Sequence, residues 1–233
     1  MRRETQNVLL ILLGGALLKI SFTGTFLRYV KPSHKWLLIA AGAIMVGLAL
    51  VSIARDLLGS RQEGTHHHSS RSAWLLLLPV LAVFLVAPPA LGSDSVQRAG
   101  NSSRAPAEDG TALFPTLPAG DVVPLPLSDF ASRAAWDRGN SLNDRAVKLT
   151  GFVVHDGEAT YVARLVIACC AADAFPVKVK VDNPQVAALR DDTWVEAVVT
   201  VVSGSASRAN DFVPSATVTD VREIPAPEDP YEH

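Results

Sequence analysis

The chain has 233 residues, 48% of them hydrophobic, and a mean hydropathy of +0.23. Residues 1–120 carry 11 Lys and Arg against 6 Asp and Glu, a balance of +5, whereas residues 121–233 carry 10 against 17, a balance of −7. An acidic C-terminal half argues against nucleic-acid binding, which draws its affinity from Lys and Arg on phosphates, and two cysteines exclude a disulfide framework.

The length fits a basic membrane region followed by one domain of roughly 100 residues. Arg2 and Arg3 precede an apolar stretch over residues 8–30, about long enough to cross a bilayer core of roughly 30 Å. Lys19 stands near its middle. An ionisable group there costs about 2.5–3.5 kcal/mol, so it either meets a carboxylate on a neighbouring helix or snorkels from a shifted one. Gly14, Gly15 and Gly24 permit close helix contact. The basic connector over residues 29–35 contains Pro32, which stops the first helix from continuing. Residues 36–54 form a second expected span with no charge, and Trp36 at its start fits an interfacial anchor. A polar loop over residues 55–72 holds His66, His67 and His68. It reads as a flexible loop or as a loose metal contact.

Residues 74–91 are the third expected span, retained as an uncleaved anchor. Counting Lys and Arg on either side leaves a tie. Arg71 before this span and Asp94 after it lean the C-terminal domain towards the outside of the cytoplasmic membrane. Residues 92–127 are rich in Ser, Ala, Gly and Pro and read as a flexible linker. Asn101-Ser102-Ser103 within it fits a glycosylation acceptor pattern to which no role is given.

The remaining residues, 128–233, read as a strand-rich domain. Ser128 opens a short helix that buries Phe130, Ala134 and Trp136. Strands follow over 145–155, 160–168, 176–181, 193–202 and 215–224. Asp156-Gly157 marks a hairpin. Asn183-Pro184 starts a helix over 185–190. In the third strand Val177, Val179 and Val181 face inward, and Lys178 and Lys180 face outward. Five strands with a helix between the third and fourth follow the order of an OB-type barrel. The expected fold is therefore three N-terminal transmembrane helices followed by a five-stranded OB-like domain.

Cys169 and Cys170, the only cysteines, end the second strand, and Asp173 follows. Thiolates bind Zn²⁺ or Cu(I), and Zn²⁺ usually takes four ligands. Cys169, Cys170 and Asp173 supply three, and His155, at the end of the preceding strand, could be a fourth. Neighbouring side chains on a strand point to opposite faces, so the set works only if the chain turns at Ala171 to Asp173. Two other readings stay open. The pair could be a thiol redox couple, or one cysteine could pack in the core while the other points out and Asp173 caps a turn. No Ser/His/Asp ordering, phosphate loop or HExxH pattern is present, so no enzyme is expected.

Three motifs carry a resemblance to a known family. They are Arg164-Leu165-Val166-Ile167-Ala168-Cys169-Cys170-Ala171-Ala172-Asp173, Asp192-Thr193-Trp194-Val195 and Pro227-Glu228-Asp229-Pro230-Tyr231, with Tyr29-Val30-Lys31-Pro32 in support. With these the chain resembles the YcgQ-like bacterial membrane proteins. The resemblance implies a YcgR-like multi-span permease as partner, the pair forming a two-component permease complex in the cytoplasmic membrane, with a link to the homeostasis of a metal such as zinc. The expected function is an accessory membrane subunit, with a membrane-anchored thiol redox protein and a purely structural assembly module as alternatives.

Overall fold

A computed structural model of the chain describes residues 3–58, 88–99 and 114–233. Two compact units divide it, Met1–Pro89 and Ala90–His233.

In the first unit, helix α1 (Arg3–Phe22) and helix α2 (Lys35–Leu57) pack against each other. Gly14 lies against Met45 and Val46, while Leu18 lies against Gly42, so the two helices run antiparallel. A methyl group on Gly14 would stand 2.8 Å from the Gly42 carbonyl oxygen, and one on Gly42 would stand 2.9 Å from that of Gly14. Only residues without side chains allow backbones this close. Helix α1 stops at Phe22 because Gly24 follows with a left-handed backbone (φ 77°). Lys19 therefore lies in the last turn of α1, where a cation complements the helix dipole, and not at the middle of a long span.

The expectation of three membrane helices is corrected. Among the described residues one helical stretch, Pro32–Leu57, is long and apolar enough to cross a membrane. The apolar part of the first helix, Gln6–Phe22, is shorter. Most of the third expected span, and all of His66 to His68, lie outside the described residues, as does Asn101-Ser102-Ser103.

The second unit begins with α3 (Ser93–Ala99), then β1 (Val122–Pro124), α4 (Leu127–Trp136), β2 (Ala146–Asp156), β3 (Ala159–Val166), β4 (Phe175–Val181), α5 (Pro184–Ala187), β5 (Trp194–Val201), β6 (Ser215–Glu223) and β7 (Tyr231–Glu232). These strands form one sheet in the order β1-β2-β5-β6-β4-β3-β7, and β2 also pairs with β3. Strands β2, β5, β6, β4 and β3 therefore close on themselves, and β1 and β7 extend the sheet. The pairs β1–β2, β3–β7 and β4–β6 are parallel and the others antiparallel. The expected five-stranded OB-like domain thus gives way to a mixed seven-stranded sheet. The two extra strands have two and three residues and pair with partners distant in sequence, so no local alternation announces them.

Local signals place the rest. Gly157 takes a left-handed conformation (φ 61°) and turns β2 into β3. The Asn183 side chain accepts hydrogen bonds from the backbone of Gln185 (2.8 Å) and Val186 (3.2 Å), capping α5. Gly151 lets β2 press on β3, since a methyl there would stand 2.6 Å from the Ala163 carbonyl oxygen. Val147, Leu149, Val153, Val162, Val179 and Phe130 fill the main core. A second cluster, with Phe152, Val154, Leu165, Ile167, Tyr231 and Val96 of α3, covers another face. That second layer explains why Lys178, expected outward and solvated, is only 7% exposed. Its ammonium sits 4.5 Å from the Tyr161 ring centre and 3.6 Å from Asp156.

The stretch read as a linker contains α3 and β1. Helix α3 is held by Val96 and by Ser93, whose N–H and hydroxyl donate to the Asp192 carboxylate at 2.6 and 2.9 Å.

Candidate metal centre

Strand β3 delivers the cysteines to the end of a hairpin. Val166 pairs with Phe175 of β4, and residues 167–174 form the loop between them. Ile167 is buried (1% exposed), and its N–H donates to the Glu232 carbonyl of β7 at 2.9 Å. The loop is thus fixed where it leaves the sheet.

Beyond Ile167 the chain folds back around Asp173. Its carboxylate accepts the N–H of Ala168 and of Cys169, both at 2.9 Å. The Asp173 N–H in turn donates to the Cys170 carbonyl at 3.0 Å, closing the 3-10 turn Ala171–Asp173. This is the turn on which the metal reading depends. It brings the two sulfurs to 3.6 Å of each other, unbonded. Both sulfurs and a carboxylate oxygen of Asp173 lie within 4.8 Å of one another. Cys169 and Asp173 are exposed and Cys170 half-buried.

The site's electrostatics follow from one shared proton. The Asp173 carboxylate accepts a hydrogen bond from the Cys169 thiol, and the Cys170 sulfur is a second, weaker acceptor beside it. The thiol is consequently pushed up to about 12. The same bond, with the backbone N–H groups, holds the Asp173 carboxyl below the usual range.

The three donors fit one tetrahedral ion. Two thiolates bound to Zn²⁺ at about 2.3 Å stand about 3.8 Å apart, close to the 3.6 Å seen. Each carboxylate oxygen keeps a further lone pair after accepting one backbone N–H. A hard oxygen beside two sulfurs suits Zn²⁺ better than Cu(I).

His155 does not join this set. It pairs with Thr160 at the opposite end of β3, roughly 20 Å along the strand from the loop. Its ring Nδ1 lies 2.7 Å from the Asp191 carboxylate, its Nε2 lies 3.3 Å from the Ala187 carbonyl, and its N–H also meets Asp191 at 2.8 Å. It ties the end of β2 to the segment after α5.

Sequence reasoning missed what braces the loop. The Arg164 guanidinium reaches the carbonyls of Asp229 (3.0 Å) and Tyr231 (3.4 Å) and lies 5.4 Å from the Trp194 ring centre. Three separate sequence motifs therefore meet beside β3. The signal was present, since all three stood out in the sequence, but their distance apart in the chain concealed the contact.

Comparison with known proteins gives a family without a described activity. Residues 137–233 match the DUF1980 C-terminal domain, and residues 5–102 match the DUF1980 N-terminal domain. No curated protein matches. One solved structure, titled "Crystal structure of a putative aspartyl-tRNA synthetase from Leishmania major Friedlin", is 10% identical with a TM-score of 0.28, covering 48% of this chain and 22% of that one. The chain thus spans about a fifth of that protein's length.

Proposed function

For a chain that carries both domains of the DUF1980 family, we propose that the C-terminal unit binds Zn²⁺ through Cys169, Cys170 and Asp173. The observation that carries this reading is the convergence of two sulfurs and one carboxylate oxygen within 4.8 Å on a loop fixed at both ends.

The same proposal assigns the chain a non-catalytic role at the cytoplasmic membrane. Helix α2 supplies the attachment, with Leu37, Ile44, Leu48 and Val51 exposed along its length. The resemblance noted in the sequence supplies the partner, a YcgR-like permease, beside which this chain is an accessory subunit.

Metal analysis of the full chain purified under reducing conditions tests the reading. One Zn²⁺ per chain is expected, falling to background in Cys169→Ser and Cys170→Ser. Reversible two-electron oxidation without bound metal would instead establish the redox alternative. The partnership is checked by co-purification with the permease.

A further inference from the structure

The donor set at the 167–174 loop stops at three among the described residues, one fewer than a closed structural zinc site uses. Resting on the zinc reading, we propose that this loop holds its ion with one coordination position open to solvent, and that an outside imidazole takes that position and draws the ion away by direct ligand exchange.

Three observations carry it. All three donors come from one six-residue stretch, Ala168 to Asp173, so they approach the ion from one side. Cys169 and Asp173 are exposed, which leaves the other side open. His155, the nearest alternative in sequence, is committed to Asp191 and the Ala187 carbonyl at the far end of β3.

The ligands differ in how firmly they are held. Two backbone N–H groups fix the Asp173 carboxylate, whereas Cys169 is an exposed side chain with a rotatable bond to its sulfur. Cys169 is therefore the ligand that leaves first. Charge selects the incoming group. Two thiolates and a carboxylate on a divalent ion already sum to one negative charge, and residues 121–233 carry −7. A neutral nitrogen donor adds no charge, and a further thiolate would add one. In the exchange, the first imidazole nitrogen bonds to the ion at the open position and the bond from the ion to the Cys169 sulfur breaks; as further acceptor donors bind, the bonds to Asp173 and Cys170 break in turn, and each freed thiolate takes a proton from solvent. No electrons change hands.

Co²⁺ reports on this geometry by its ligand-field absorption. The full chain, reduced and kept in detergent micelles, is loaded with one equivalent of Co²⁺ and titrated with imidazole. The expected result is a saturable shift of the ligand-field bands while the thiolate-to-metal band persists. With Zn²⁺ loaded, transfer to an imidazole-bearing chelating peptide should run at a rate linear in peptide concentration, at least about tenfold above spontaneous release at the highest concentration. His155→Ala should leave the starting Co²⁺ spectrum and the imidazole response unchanged.

Normal Co²⁺ uptake with no response to imidazole, or a transfer rate independent of acceptor, would overturn the open position while leaving the zinc reading intact. A response to a small thiol alone would overturn the imidazole assignment. Failure to take up Co²⁺ or Zn²⁺ at all would overturn the zinc reading, and this inference with it.

Discussion

Asp173 does two jobs that a mutation can separate. It holds the turn through the N–H groups of Ala168 and Cys169, and it keeps the proton on the Cys169 thiol. Asp173→Asn retains one oxygen acceptor for the turn but removes the charge. The thiol should then fall back towards the ordinary cysteine range, and its alkylation near neutral pH should quicken by at least about tenfold. Zinc affinity should fall in the same variant, because a ligand is lost. Timed labelling with iodoacetamide and a chelator competition check the two effects, which run in opposite directions. Acid reports on the same carboxylate. Its folded pKa lies below the unfolded value, so its contribution to the turn is complete above the unfolded value and is lost as pH falls through the folded one. The amide signals of Ala168 and Cys169 should therefore keep their native shifts at pH 5 and move only below about pH 3.9. Metal binding has a different dependence. A thiol that holds its proton to about 12 must give it up to solvent when the ion binds, so apparent zinc affinity should weaken by up to about tenfold per pH unit for each thiol proton released as the solution is acidified.

At the scale of elements, what was legible in the sequence was what is local. Asp156-Gly157 specified a hairpin, Asn183-Pro184 specified the start of a helix, drawn too long at 185–190 against the observed Pro184–Ala187, and the alternation of Val177, Val179 and Val181 specified the inner face of β4. The turn at Ala171 to Asp173 could be posed as a condition from the sequence, because its donors and acceptors lie within six residues. The features that were not legible depend on partners far along the chain. The helix expected to be capped by Ser128 has no side-chain cap of its own. Its first N–H groups, those of Leu127 and Ser128, donate instead to the carboxylate of Glu232 at 2.7 and 2.9 Å. Helix α3 was hidden for a related reason, since its Ser- and Ala-containing sequence offers Val96 as its one apolar anchor to the sheet. Glu232→Ala should therefore act on a helix 105 positions away. It removes a buried charge-assisted cap, at a cost of about 1–3 kcal/mol. A unit of this size, Ala90–His233, would melt several degrees lower, at about 2–4 °C per kcal/mol. Amide exchange at Ile167 should also quicken, since its N–H bonds to the Glu232 carbonyl. Circular dichroism melting and hydrogen exchange measure the two.

For the whole molecule, the charge division found in the sequence matches a physical one. The basic half contains the helical pair and the acidic half the sheet, and the chain divides into its two compact units between Pro89 and Ala90. Hydropathy could suggest spans but not count them. It could not foresee that the first apolar stretch breaks at Gly24, and the argument for the side of the membrane was built on that count. The proposed attachment rests on α2. A helix that stayed in water would hide its apolar side chains against protein, but Trp36, Leu37, Ile44, Leu48, Leu50 and Leu57 are between 57% and 81% exposed. Such a surface is stable in hydrocarbon and costly in water. A charge at its middle should reverse that balance. Lysine near the centre of a span costs about 2.5–3.5 kcal/mol, so the double variant Ile44→Lys, Leu48→Lys should shift most of the chain from the carbonate-resistant membrane fraction to the soluble one. Both positions point away from α1 and are exposed, at 62% and 59%, so the helical pair itself should survive. The zinc content of the released protein should stay at one per chain, because all three donors belong to the second unit. Retention of the double variant in the membrane after alkaline extraction would show that α2 is not the anchor.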